Sequence, residues 1–134
     1  MSAVLMDTSA VIALLDAGDV NHQAAKSAFE SLEYEVADLF TTSYVLIEIY
    51  ALLGRRYGPS AVERFRQDFA PLLEVIWVDE DLHEAGLDLL LDRASKSLSL
   101  VDAVSLVAIR ARGADRVFAY DRHFENRGFE MVGQ

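Results

Sequence analysis

The chain has 134 residues, of which 52% are hydrophobic and 25% are charged, and its formal net charge is −10. These values predict one globular domain over residues 1–134 and exclude a disordered chain. There is no cysteine, which excludes disulfides and thiolate metal sites. No apolar stretch approaches the roughly 20 residues of a membrane span, and the amino terminus lacks a basic signal-peptide start, so we expect a cytoplasmic protein.

The chain begins with a predicted strand that leads directly into a helix. The apolar run Ala3–Met6 predicts a short buried strand. Thr8 and Ser9 then open a helix over Ala10–Asp16, which Gly18 is expected to close.

A second helix and a strand are predicted next. Asn21 is expected to cap this helix, and Val36–Thr41 is the strand candidate. The residues predicted to face inward from the helix are Ala24, Ala25, Ala28, Phe29 and Leu32.

The middle of the chain predicts two further helices. Ser43 is expected to cap a helix from Tyr44 to about Arg56, which ends before Gly58-Pro59, and Ser60–Phe69 forms the other.

The second half of the chain predicts three strands and two helices. The strands are Leu73–Val78, Arg116–Tyr120 and the edge strand Phe129–Val132. The helices are Glu80–Ala94 and Leu100–Arg112, the latter ended by Gly113. Strands that alternate with helices predict an α/β fold with a mostly parallel central sheet covered on both faces.

Four carboxylates lie beside or inside apolar runs: Asp7, Glu48, Asp102 and Asp121. Asp7 and Asp121 directly follow predicted strands, and the carboxyl ends of parallel strands form the crevice where ligands bind. Three of the four also have a structural interpretation. Asp7 can cap a helix, Asp121 can cap Arg122–Asn126, and Asp102 can close a capping box with Ser99.

Glu48 has no such alternative. Its neighbours one helical turn away are the apolar residues Tyr44, Val45, Ala51 and Leu52. A buried charge needs a partner, and no base lies within one turn, so Glu48 favours metal coordination.

One explanation covers all four acids, which is a site for a hard, oxygen-preferring ion. Mg²⁺ or Mn²⁺ would remove the repulsion between clustered carboxylates. Such ions are suited to phosphodiester hydrolysis, because they activate a water and stabilise the leaving oxygen.

The chain resembles the PIN domain family in an ordered set of segments: Met6–Ser9, Glu48, Ser99–Ala103 and Tyr120–Phe124. Its size, with Leu14–Asp16 followed by Asn21-His22, is similar to VapC-type toxins of toxin–antitoxin pairs. The resemblance implies a three-layer α/β/α fold and a homodimer. It also implies Mg²⁺- or Mn²⁺-dependent endoribonuclease activity and inhibition by a VapB-type antitoxin.

The resemblance assigns the family's acidic positions to Asp7, Glu48, Asp102 and Asp121, with Ser9 in support. One departure is Ala119, where many family members have a hydroxyl that would support the metal's outer shell. A phosphate contact from Arg122 and an acid–base role for His123 are weaker interpretations.

Charge is unevenly distributed along the chain. Residues 93–127 hold seven bases against four acids, a net charge of +3, and the remainder carries −13. An RNA ligand is therefore not excluded, and the basic carboxyl-terminal third is predicted to guide its backbone.

Two other functions fit parts of the pattern. A non-catalytic PIN-like protein-binding module would use the acids only as caps. A phosphoryl-transfer domain also has an aspartate after its first strand, but it fits poorly because position 9 is Ser9 and the only lysines are Lys26 and Lys96.

Overall fold

A computed structural model describes residues 2–93 and 98–134. The strands within these residues are β1 (Ala3–Met6), β2 (Asp38–Thr42), β3 (Glu74–Ile76), β4 (Arg116–Phe118) and β5 (Glu130–Val132). They form one sheet in the order β3-β2-β1-β4-β5, and every pairing is parallel. The predicted parallel sheet is confirmed, and β1 is its central strand.

Helices connect the strands and cover the sheet. They are α1 (Thr8–Leu15), α2 (His22–Tyr34), α3 (Ser43–Tyr57), α4 (Pro59–Arg64), α5 (Glu80–Arg93) and α6 (Leu100–Arg112). A π-helical turn, Phe65–Phe69, continues α4, and short 3-10 turns occupy Ala70–Leu72 and Arg122–Phe124. Among the described helices, none is long and apolar enough to cross a membrane.

Two hydrophobic cores lie on opposite faces of the sheet. Val4 and Met6 of β1 pack with buried residues of α1, α2 and α3, whereas Leu5 packs with α6 residues such as Leu106 and Ile109. Successive side chains of a strand point to opposite faces, so one apolar strand contributes to both cores. The predicted three-layer α/β/α arrangement follows from this alternation.

The sheet places the end of β1 between its two neighbours. The backbone N–H of Asp7 donates to Phe118 at 3.0 Å, beside the end of β4. On the other side, Oγ1 of Thr41 in β2 donates to the carbonyl of Met6 at 2.9 Å. Asp7 therefore lies at the carboxyl edge of the sheet, held from both sides.

Strand β4 is shorter than predicted, because it ends at Phe118 and not at Tyr120. The backbone N–H of Tyr120 donates to Oγ of Ser9 at 2.9 Å. This side-chain acceptor replaces a ladder partner, and the chain turns away from the sheet toward Asp121.

The start of α3 also differs from the prediction. Thr42, and not Ser43, is the cap, since its Oγ1 accepts from the N–H of Val45 at 3.2 Å. Oγ of Ser43 instead accepts from the N–H of Val78 at 2.9 Å, which fixes the chain after β3. Gly58, with a φ of 87°, ends α3 as predicted.

Helices α1 and α2 depart from the prediction in three details. Helix α1 ends at Leu15, one residue before the predicted Asp16. Asn21 precedes α2 but makes no side-chain cap bond, because Asp19 organises this turn by accepting from the N–H of Asn21 at 2.8 Å. Ala24, predicted to face inward, is exposed.

The sequence predicts two further helices with other boundaries than those of α4 and α5. The predicted helix Ser60–Phe69 is divided, since α4 ends at Arg64 and the π-helical turn follows. In this turn the rings of Phe65 and Phe69 stack with centroids 5.6 Å apart. Ala94, the predicted last residue of α5, lies outside the described residues.

The contact between α5 and α6 yields a stability prediction. A Cβ added at Gly86 would lie 2.5 Å from Cγ2 of Val104 and 3.3 Å from its backbone, and Val104 is fully buried. The stiff valine side chain cannot move aside, so Gly86→Ala should lower the free energy of unfolding by about 1–3 kcal/mol. Urea unfolding measures this change.

Gly54→Ala is the matched control, because an added Cβ there would make an ordinary contact, 3.5 Å from Cγ2 of Val62. Its better helix propensity should leave the protein unchanged or more stable by up to about 1 kcal/mol. Equal stability of the two variants would contradict this account of the α5–α6 contact.

Candidate functional site

A cavity with a volume of about 650 Å³ opens at the carboxyl edge of the sheet. All four predicted acids line it, together with Ser9. They come from the end of β1, from α3, from the start of α6 and from the turn after β4. The fold therefore brings together carboxylates that are far apart in the sequence.

Asp7 is the most deeply buried of the four acids, with 4% of its surface exposed. Its side chain caps α1 and accepts from the N–H of Ser9 at 3.3 Å and from Oγ of Ser9 at 2.9 Å. The same hydroxyl accepts from Tyr120, as described above. Ser9 thus orients the carboxylate of Asp7 and ties it to the turn that holds Asp121.

The environment of Asp7 raises its pKa from 3.8 to about 6. The main cause is burial, which disfavours the charged form, and the nearby charges of Asp102 and Glu48 add to it. The two hydrogen bonds from Ser9 lower the pKa but do not cancel the effect of burial. An ionised Asp7 therefore lies in a site that would be stabilised by a cation.

The sequence predicts that Glu48 is a buried charge, and this prediction is wrong. Its side chain is exposed at the cavity, because the face of α3 that carries it opens into the cavity and not into the core. Its partner is a hydroxyl, since Oγ1 of Thr8 donates to Oε1 of Glu48 at 2.5 Å. Glu48 is thus placed in the site by a hydrogen bond from α1.

Asp102 and Asp121 hold both of the structural roles weighed from the sequence. Asp102 completes a capping box with Ser99, and Asp121 accepts from the N–H of His123 at 3.0 Å to cap the 3-10 turn. Both acids nevertheless line the cavity. A capping carboxylate uses only some of its lone pairs, so it remains able to bind a ligand.

His123 lies between these two carboxylates. Its Nδ1 is 2.6 Å from Oδ2 of Asp102 and 3.0 Å from Oδ1 of Asp121. Neither contact has the geometry of a hydrogen bond. When the ring is protonated, its positive charge lies close to both carboxylates. The sequence supports only a weak acid–base interpretation of His123, because nothing local reveals its proximity to Asp102 in α6.

Sequence reasoning also missed four polar cavity residues: Thr8, Asp19, Arg55 and Arg56. A signal existed for the arginines, since they follow Glu48 by seven and eight residues, or about two helical turns. Thr8 gave no comparable signal, because its partner is 40 residues away.

Within residues 98–134, none of the arginines of the basic carboxyl-terminal third lines the cavity. Arg112 pairs with Glu74 at 2.6 Å, and Arg116 pairs with Glu35 at 2.5 Å. These contacts involve the first residues of β3 and β4, at the edge of the sheet opposite the cavity. Arg122 is exposed next to Asp121 and does not line the cavity.

Ala119 does not border the cavity. It is fully buried in the core that contains Leu5 and α6, and its carbonyl accepts from Gln134. A hydroxyl at position 119 would therefore lie in the core. The alanine at this position does not deprive the cavity of a hydrogen-bond donor.

The cavity provides the donor type that Mg²⁺ and Mn²⁺ prefer, namely carboxylate oxygen. Within residues 2–93 and 98–134, no three acidic or histidine side chains are already grouped as a metal site. Each acid is held by a protein partner: Ser9 for Asp7, Thr8 for Glu48, and His123 for the other two. Metal ligation by these residues stays a prediction, and it requires the carboxylates to reorient.

The raised pKa of Asp7 predicts how stability depends on pH. Folding takes up a proton at Asp7 between pH values of about 4 and about 6, so its ionisation destabilises the metal-free fold as the pH rises through this range. Asp7→Asn keeps an acceptor for Ser9 without the charge. In EDTA at a pH of about 8, it should be more stable than the unmodified protein by up to about 3 kcal/mol.

Urea unfolding of both proteins across this pH range measures the difference, which should vanish at the acidic end. A constant difference between the two proteins, or a gain in relative stability of the unmodified protein as pH rises, would refute the raised pKa.

Similarity to known proteins agrees with this geometry. The PIN domain model matches residues 4–130. The chain is 33% identical to the 23S rRNA-specific endonuclease VapC20 of Mycobacterium tuberculosis over 130 residues, which covers 96% of this chain and 97% of the relative.

Solved structures share the fold. The crystal structure of Mycobacterium tuberculosis VapC20, described as a Sarcin-Ricin loop cleaving toxin, matches with a TM-score of 0.85 and 31% identity over 96% of this chain and 98% of that one. A toxin–antitoxin complex from Klebsiella pneumoniae matches with a TM-score of 0.70 and 18% identity over 96% of each chain. The resemblance to VapC-type toxins is confirmed, and the chain belongs to the PIN domain family.

Proposed function

We propose that this protein is a metal-dependent endoribonuclease of the VapC toxin type, formed by a single PIN domain over residues 1–134. The observation that carries the proposal is the convergence of Asp7, Glu48, Asp102 and Asp121 on one cavity. Similarity over nearly the whole chain to a named endonuclease supports the same function.

PIN-domain nucleases generally depend on divalent metals, and Mg²⁺ or Mn²⁺ is the cofactor proposed here. Asp7, Glu48, Asp102 and Asp121 would hold it, with Ser9 in support. When bound, the metal would supply an activated water for attack on phosphorus and stabilise the leaving oxygen.

The residues of the chain orient this chemistry. Ser9 holds Asp7, and Thr8 holds Glu48, so two adjacent residues of α1 fix carboxylates of two different elements. The burial of Asp7 and Asp102 restricts water on one side of the cavity, which strengthens electrostatic interactions there. His123 would have to leave the carboxylates that it now contacts before both can turn toward a cation.

The substrate class proposed is RNA, and ribosomal RNA is the first to test. The name of VapC20 specifies 23S rRNA, and its structure is described as cleaving the Sarcin-Ricin loop. Arg122, exposed beside Asp121, remains a candidate phosphate contact. A VapB-type antitoxin is proposed as a partner, because toxin–antitoxin complexes share this fold. A second copy of the chain is proposed from the resemblance to VapC-type toxins.

The activity prediction uses purified protein and 23S rRNA. Cleavage should appear with Mg²⁺ or Mn²⁺ and disappear in excess EDTA. Mutation of a residue that only hydrogen-bonds to a metal ligand typically lowers metal affinity or activity 10- to 100-fold. Loss of a ligand itself, in Asp7→Asn or Asp102→Asn, should therefore reduce the cleavage rate by at least about 100-fold. Gel analysis of cleavage products measures the rate.

Glu30→Gln is a matched control, because this exposed acid of α2 does not line the cavity. It should cleave at the unmodified rate. Full cleavage in EDTA would refute metal dependence. Absence of both RNA cleavage and divalent-ion binding by calorimetry would instead support a non-catalytic protein-binding module.

A further inference from the structure

Two arginines lie in the same cavity as the acids. Arg55 and Arg56 of α3 line it, separated from Glu48 by the cavity-lining residues Ala51 and Leu52. At 1.5 Å per residue, the two arginines begin about 10–12 Å along the helix from Glu48. The cavity thus has an acidic end and, further along α3, a basic one.

The charge of the cavity makes these arginines important for an anionic ligand. Five acids line it: Asp7, Asp19, Glu48, Asp102 and Asp121. Without cations this surface would repel an RNA backbone. Among the described side chains that line the cavity, only Arg55 and Arg56 carry a permanent positive charge.

Neither arginine is committed to a structural ion pair. In residues 2–93 and 98–134, no carboxylate lies within 4.0 Å of Arg55 or Arg56, whereas Arg112 and Arg116 are both paired. The pKa of Asp16 is lowered mainly by the hydrogen bond from the Tyr57 hydroxyl at 2.7 Å, and the nearby charge of Arg56 contributes to the lowering. This attraction between Arg56 and Asp16 acts without an ion pair within 4.0 Å, so the guanidinium group of Arg56 can still bind a phosphate.

We propose that Arg55 and Arg56 form a phosphate-binding subsite for single-stranded RNA. They contact the backbone of a nucleotide next to the scissile bond, because their backbone positions lie about 10–12 Å along α3 from Glu48. Guanidinium groups suit this role, since they bind phosphate oxygens in a bidentate manner. The inference rests on the proposed ribonuclease function and places a nucleotide adjacent to the scissile bond along α3.

RNA binding tests the subsite independently of cleavage. Fluorescence anisotropy with a labelled single-stranded RNA, in an Asp102→Asn background that does not cleave, gives the affinity over a series of salt concentrations. Arg55→Gln and Arg56→Gln should each weaken binding roughly three- to tenfold, as loss of a charged hydrogen bond implies. Each should also reduce the slope of log affinity against log salt by about 0.7.

Two further variants separate phosphate contact from general effects. Arg110→Gln removes one positive charge from an exposed position near the end of α6 that does not line the cavity, and it should leave affinity and slope unchanged. Arg55→Lys keeps the charge and should keep most of the slope. In the protein with Asp102 intact, Arg55→Gln should raise KM for RNA and leave kcat within about twofold, since the subsite binds ground state and transition state alike.

Three outcomes would overturn the inference. Equal affinity and slope for Arg55→Gln, Arg56→Gln and Arg110→Gln would refute the subsite alone, while cleavage by the unmodified protein kept the ribonuclease function. A loss of binding that is independent of salt, with a lowered melting temperature, would mean that the arginines only stabilise α3. Failure of the unmodified protein to bind or cleave RNA would refute both proposals.

Discussion

The central position of β1 in a fully parallel sheet is the constraint on which the site depends. Because β1 is hydrogen-bonded on both sides and contributes to cores on both faces, its carboxyl end cannot move independently. Asp7 is therefore fixed where the ends of β2 and β4 meet. The elements after those strands, α3 and the turn at Asp121, are brought to the same cavity by the common direction of the strands.

Structural and functional interpretations of the acids are compatible. Asp7, Asp102 and Asp121 all act as caps, and all line the cavity. Capping keeps each carboxylate at the cavity wall before any ligand arrives, so cation binding requires only that side chains already at the site reorient. The unfavourable contribution is electrostatic, because burial, together with the like charges of Asp102 and Glu48, makes Asp7 difficult to ionise. This unfavourable negative charge lies in the cavity, where a bound cation would stabilise it.

The net charge of the chain describes its surface poorly. Arg112 and Arg116, two of the seven bases in residues 93–127, are paired with acids at the edge of the sheet opposite the cavity. Arg55 and Arg56, which belong to the acidic remainder of the sequence, face the cavity instead. The net charge of a sequence segment therefore does not predict the charge around the cavity. Substrate binding depends on the charge around the cavity.

Local hydrogen bonding and hydrophobic periodicity determined much of the fold from the sequence alone. They fixed the alternation of strands and helices, the capping box at Ser99 and the end of α3 at Gly58, because each signal lies within a few residues. The positions of the four acids beside or inside apolar runs identified them as a candidate metal site, and the resemblance to the PIN family assigned them to the family's acidic positions. Only the tertiary structure decided that Glu48 is exposed and held by Thr8, and that His123 lies beside Asp102, because these contacts join residues that are 40 and 21 positions apart. Such pairs are brought together by packing across the sheet, which no local pattern encodes.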